Sequence, residues 1–200
     1  VVNSGERLGG AADELVRGLP APAPEPGFVE RTFDGVFFER AENRFLDQIL
    51  PRIEALGGRR RDLALWALCQ ACLAKRPYNL FHRANLAMRR RDVARSFGNK
   101  ATWDTPFGDL VRRFAAEGDA AVFDSGEEHR ALAADAAEID PRGFDLVYLD
   151  PPYVSARGQG VDYLDYYHFL EGLCRPAGWG ERILRRYRHL PLAGRGASPW

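Results

Sequence analysis

The run Phe144-Asp145-Leu146-Val147-Tyr148-Leu149 stops on Asp150-Pro151-Pro152-Tyr153, and this break restricts the fold more than any other stretch. A short apolar segment rich in β-formers, closed by prolines that cannot donate to a ladder, predicts a strand buried on both faces. Asp150 then stands at the carboxyl end of a strand, which in open α/β sheets is where ligands bind. Upstream, Ala120 to Phe123 predicts a second short strand, Glu127 to Ala137 a helix, and Asp140-Pro141-Arg142-Gly143 the turn into the central strand. The order β, α, β with short connections predicts an α/β fold with a parallel sheet.

The residues before this unit read mainly as helical. Leu15, Val16 and Leu19 give a weak helical pattern, and the proline-rich stretch from Leu19 to Gly27 reads as an extended linker. Phe28 to Phe38 leaves two readings open, a short hairpin turned at Asp34-Gly35 or a loop. Phe45, Ile49, Ile53 and Leu56 recur at helical spacing, with Pro51 as a kink and Gly57-Gly58 as the end. Asp62 suits the N-cap of a helix over Leu63 to Lys75, and Asp109 to Glu117 predicts another that Gly118 stops. A last helix is expected from about Asp165 to Leu173, before a basic, poorly patterned tail.

Charge narrows the class. The 28 basic and 28 acidic residues cancel, yet lysine occurs only at Lys75 and Lys100, so the positive charge is nearly all arginine, gathered at Arg59-Arg60-Arg61 and Arg89-Arg90-Arg91. Local basic patches survive a neutral total. There is no apolar run of about 18 residues to span a membrane and no basic segment followed by an apolar core, so a cytoplasmic protein with no membrane partner is expected. Cys69, Cys72 and Cys174 make an odd set, read as free thiols. The Cys69-Gln70-Ala71-Cys72 spacing lies in an apolar helical run without two further ligands nearby, so packing is expected and no metal.

Tyr78 to Trp103 interleaves aromatic and basic residues, a composition that serves nucleic acid or forms a solvated basic face; the sequence leaves both open. The Asp150 corner suits one chemistry in particular. An exocyclic base amine is a poor nucleophile because its lone pair is delocalised into the ring. The Asp150 carboxylate and the Pro151 carbonyl can each accept one of its N–H groups, freeing the lone pair to attack a sulfonium methyl in line. Pro151 and Pro152 stiffen the turn, and Tyr153 offers a ring on which the base stacks once flipped out of a duplex.

With these residues the chain resembles the S-adenosylmethionine-dependent, adenine-specific DNA methyltransferases of the DNA-adenine-methylase type, in which Asp-Pro-Pro-Tyr is the catalytic motif. Further stretches carry the resemblance: Asn43-Arg44-Phe45-Leu46-Asp47, Phe81-His82-Arg83-Ala84-Asn85-Leu86, Gly98-Asn99-Lys100 with Trp103 and Pro106-Phe107-Gly108, and Tyr167-His168-Phe169-Leu170. The resemblance implies a partial Rossmann-like methyltransferase sheet with an inserted, mainly helical target-recognition region. It implies Asp150, Pro151, Pro152 and Tyr153 as catalytic residues, Asp124 and Asp150 as contacts of S-adenosylmethionine, and DNA as partner. The expected division is a helix remnant and linker over 1–27, a target-recognition region over 28–118, a catalytic part over 119–190 and a tail over 191–200.

The aromatic-x-Gly-x-Gly loop of that family and the acid after its second strand are not seen in the sequence. Together with a start at Val1 and a single methionine, Met88, this gives the expectation of a piece of a longer protein whose cofactor-binding part lies upstream. Two alternatives remain: an RNA base-amine methyltransferase, and a non-catalytic DNA-binding remnant.

Overall fold

Helical periodicity, rather than strand pairing, organises the chain. The computed structural model describes residues 5–91, 100–127, 129–132, 134–150 and 162–194. Among them lie nine α-helices: α1 (Ala11–Val16), α2 (Phe28–Thr32), α3 (Arg40–Glu54), α4 (Gly58–Ala74), α5 (Leu86–Arg90), α6 (Lys100–Asp104), α7 (Phe107–Ala121), α8 (Tyr163–Cys174) and α9 (Trp179–Arg182). The apolar positions Phe45, Ile49 and Ile53 become the buried stripe of α3. α4 is buried at Leu63, Ala64, Leu65, Ala67, Leu68, Ala71 and Cys72, and it packs against α3, α7 and α8. α1 sits on α7 and α3, where Arg52 Nη1 donates to the carbonyls of Glu14, Leu15 and Arg17 at 3.2, 3.0 and 2.9 Å and closes the helix's C-terminal end.

Buried charge fixes how these helices meet. Glu42, three residues after the N-cap Glu39, accepts the Glu39 backbone N–H at 2.9 Å in a capping box. The same carboxylate accepts both terminal nitrogens of Arg89 at 2.7 and 2.8 Å and lies 2.7 Å from Lys75 Nζ, whose side chain is only 1% exposed. Lys75 also donates to the carbonyls of Trp103 and Thr105 at 2.8 and 2.5 Å, and Arg89 to that of Trp103 at 2.9 Å. One carboxylate thus joins α3, the end of α4, α5 and the α6 turn. Glu30 makes a second centre, 2% exposed and clasped by Arg40 and Arg44 at 2.7 Å each, and the hydrogen bond from Arg44 outweighs burial to hold its carboxyl at about 2.

An aromatic knot lies between the N-terminal helices and α8. Phe169 meets Phe33 edge-on at 4.9 Å and stacks on Phe81 at 5.1 Å, while Phe37 and Phe38 pack edge-on against Phe81. Each such pair adds about 0.5–1.5 kcal/mol beyond the area it buries.

The expected α/β fold is overturned: among the described residues there is no strand and no sheet, and bridges such as those between Asp34 and Phe38 and between Ile183 and Leu192 are isolated. The predicted Rossmann-like sheet fails at both of its strands. Ala120 and Ala121 end α7, because Gly118 does not stop the helix. A Cβ there would lie 2.8 Å from Leu63 and 2.9 Å from Trp66, so the missing side chain lets α7 cross close to α4 and continue. The run 144–149 forms no strand, and Leu146 and Leu149 are 85% and 79% exposed; no described segment offers it a ladder. The helix expected over Glu127 to Ala137 is absent from the described residues there, apart from a 3-10 turn at Ala136–Glu138. Its described residues are all exposed, and a short helix needs a face to bury. Phe28 to Phe38, read as hairpin or loop, is α2 followed by a turn.

Burial raises the Glu42 carboxyl, but Arg89 and Lys75 outweigh it, and the group sits below its ordinary value. Its stabilising effect is therefore present above the unfolded glutamate value of 4.5 and is lost as pH falls. Glu42→Gln, which leaves Lys75 and Arg89 without their carboxylate, is expected to cost about 3–5 kcal/mol at pH 7 by urea unfolding. The cost should shrink when the comparison is repeated below pH 4; a variant as stable as wild type at pH 7 would contradict this account.

Candidate functional site

α8 carries the candidate site on its exposed end and the knot on its buried face. Asp162 caps the helix, its carboxylate accepting the Asp165 N–H at 3.0 Å. The buried face presents His168, Phe169, Leu170 and Leu173. Against it lies the chain at Phe81, whose N–H donates to the Tyr166 carbonyl at 2.8 Å while His168 Nε2 donates to the Phe81 carbonyl at 3.1 Å. Burial pushes the His168 imidazole down to about 4, so it is neutral near pH 7. At Gly172 a Cβ would stand 2.0 Å from the Trp179 indole, so α9 is seated directly on α8.

Beyond α9 the chain doubles back. Ile183 and Leu192 form an antiparallel bridge, closed by Leu184 N–H to the Pro191 carbonyl at 2.8 Å and Ala193 N–H to the Arg182 carbonyl at 2.6 Å. His189 in this turn lies 3.0 Å from the Asp165 carboxylate on α8. Between turn and helix runs a cleft of about 220 Å³, lined by Asp162, Asp165, Arg186, Tyr187, His189 and Leu192 among others. A carboxylate orienting an imidazole, an arginine and a phenol ring around one cleft suit a polar, charged ligand with a flat face.

The residues expected from the sequence are placed as follows. Asp150 is exposed, while Pro151, Pro152 and Tyr153 lie outside the described residues. Asp124 is exposed, and its carboxylate accepts the Gly126 N–H at 2.9 Å in a local turn. No hydrogen bond or ion pair joins Asp124 to Asp150 among the described residues.

The stretches that carried the resemblance fare better. Phe81 to Leu86 and Tyr167 to Leu170 meet directly through the Phe81 and His168 contacts, and Phe45 stacks on Phe107 at 5.4 Å. Trp103 is buried and its carbonyl serves the Glu42 centre, Lys100 pairs with Asp104 at 3.2 Å, and Gly98 and Asn99 lie outside the described residues. Both arginine runs are largely engaged within the protein: Arg89 with Glu42, Arg90 with Glu39, Arg61 with Glu54 and Asp62, and Arg60 with the Leu8 carbonyl. Cys69, expected to pack, has its Sγ 3.9 Å from that of Cys174, and Cys72 is buried in α4. Sequence reasoning missed the Asp165 and His189 pair and the turn around it; the signal was Arg185-Arg186-Tyr187-Arg188-His189, basic and aromatic together, inside what read as a tail.

The chain is similar to a type II methyltransferase, M2.HphI, of Haemophilus parahaemolyticus, at 29% identity over 178 residues. The match covers 86% of this chain and 51% of the relative, so the chain spans about half the length of the relative it matches. No protein-family model matches the chain, and no solved structure matches it.

The histidine at the centre of this junction gives a pH test. Its folded value, about 4, lies below the ordinary 6.5, so neutral His168 stabilises the fold above 6.5 and that contribution is lost as pH falls toward 4. Wild type is expected to lose thermal stability across this window with a slope that His168→Gln reduces. Parallel melting curves for the two proteins between pH 7.5 and 4.5 would show that the imidazole does not sit buried and neutral.

Proposed function

We propose that this chain is part of an S-adenosylmethionine-dependent methyltransferase that modifies the exocyclic amine of adenine in DNA, of the restriction-modification or phage type. The observation that carries this reading is the similarity to a type II methyltransferase, which runs through most of the chain. The sequence Asp150-Pro151-Pro152-Tyr153 supports it, and so does the meeting of the Phe81 and Tyr167 stretches on α8. No described helix is long and apolar enough to cross a membrane.

In this reading residues 28–118 form the target-recognition region and 119–190 the part that carries the reacting base, flanked by 1–27 and 191–200. The Asp150 carboxylate and the Pro151 carbonyl each accept one N–H of the flipped adenine, and Tyr153 stacks on its ring. Both acceptors are needed because each N–H held away from the ring plane moves the nitrogen toward tetrahedral geometry. S-adenosylmethionine supplies the methyl group. Asp124 and Asp150 are proposed among its contacts, with the rest of its site assigned to polypeptide outside the described residues.

Asp150→Ala in the full-length protein is expected to lower methyl transfer to duplex DNA by about 10²–10³-fold, the range for removing one preorganised hydrogen-bonding group. Its DNA affinity should stay within about threefold of wild type, because Asp150 is exposed and outside the buried core. Equal loss of transfer and affinity would make Asp150 a structural residue and remove its proposed role.

A further inference from the structure

We infer that the turn carrying Arg185, Arg186 and Arg188 is a contact surface for the phosphate backbone of nucleic acid, set at the rim of the α8 cleft. This inference rests on the DNA-directed reading above and names a part of the protein that grips the polymer.

The chain's formal net charge is zero, and across the described residues arginine after arginine meets a carboxylate: Arg40 and Arg44 with Glu30, Arg61 with Glu54, Arg89 with Glu42, Arg90 with Glu39, Arg112 with Asp13 and Asp109. Arg17, Arg31, Arg59 and Arg83 are exposed and without an ion pair among the described residues, but they lie apart along the chain, whereas Arg185, Arg186 and Arg188 stand together in one turn. All three are exposed, they fall within four consecutive residues, and among the described residues none has an ion pair. Like charges held this close repel one another, so the arrangement costs free energy in the isolated protein and is relieved when an anion of repeating charge lies across it.

The turn is also built rather than slack. Its base is closed by the Ile183 and Leu192 bridge, and His189 is held to Asp165 at 3.0 Å. Leu190 adopts a φ of 53°, a left-handed conformation that a branched residue rarely takes, and its N–H closes the turn onto the Tyr187 carbonyl at 3.1 Å. Between the arginines, Tyr187 is 37% exposed, with the Arg186 guanidinium 4.9 Å from its ring centre and the His189 ring 5.9 Å away. A fixed turn that offers guanidinium groups for phosphates and rings for stacking matches a nucleic-acid strand. An anionic membrane is the poorer match, because surface-bound segments of that kind pair their basic face with an apolar face that inserts, and the turn between Leu184 and His189 exposes no aliphatic side chain. The position adds meaning: Arg186 and Tyr187 line the same cleft as Asp162, which lies nine positions after Tyr153 in the sequence.

The test is equilibrium binding of the full-length protein to duplex DNA, without S-adenosylmethionine, across a series of salt concentrations. Each phosphate contact contributes about 0.9 to the slope of log affinity against log salt. The variant carrying Arg185→Gln, Arg186→Gln and Arg188→Gln is expected to lose between about two and three units of that slope. The corresponding triple lysine variant should retain most of it, since charge rather than fork geometry sets the slope. Each single Arg→Gln change should remove about one unit, which gives a readout even if the triple variant does not fold. An unchanged slope in the glutamine variants, with wild type binding DNA normally, would overturn this inference alone. So would a loss seen only on phosphatidylserine vesicles. Failure of wild type to bind DNA at all would instead overturn the DNA-directed reading on which it rests.

Discussion

The Glu42 carboxylate is the contact on which the arrangement of helices depends. It begins as a local device, the N3 partner of a capping box that starts α3. Burial then forces it to find cations. Arg89 arrives from α5 and Lys75 from the last turn of α4, and both also reach the carbonyls that precede α7. A buried charge that loses its partner costs several kcal/mol, whereas the same space filled with apolar side chains would cost little. The network therefore stabilises one relative placement of α3, α4 and α5 more than it stabilises folding as such.

That use of charge explains why basic runs are hard to interpret from sequence. Arg89-Arg90-Arg91 looks like a nucleic-acid patch, but Arg89 and Arg90 are matched to Glu42 and Glu39, three residues apart on the same helix start. The pairing joins residues 47 and 51 positions apart, so no local pattern announces it. In contrast, Arg185, Arg186 and Arg188 sit in a stretch with weak periodicity, and only the fold reveals that among the described residues no carboxylate pairs with them.

Helices were legible where an apolar stripe sets the pattern, as in α3, α7 and α8 around Phe45, Leu110 and Phe169; α4 was also expected, but it begins at Gly58 and Asp62, expected as its N-cap, lies inside it. Strands were not, because a strand is defined by its neighbour. Phe144 to Leu149 has the composition of a buried strand, yet among the described residues it has nothing to pair with and its apolar side chains face solvent. Gly118 misled in the opposite direction, since a glycine that permits close helix crossing reads the same as one that ends a helix. Of the site, the recurring stretches around Phe81 and Tyr167 were legible and do meet. Asp124 and Asp150 were assigned by resemblance to a family whose sheet the described residues do not form. The Asp165 and His189 pair was out of reach, because it depends on the chain reversing after α9.

The functional account comes down to which atom receives a methyl group. The decisive measurement is to incubate the full-length protein with duplex DNA and methyl-labelled S-adenosylmethionine, digest the DNA to nucleosides, and identify the labelled one. The account predicts label on the exocyclic nitrogen of adenine. Label on cytosine, transfer only to RNA guanine, or no transfer at all from a protein that binds DNA would contradict it.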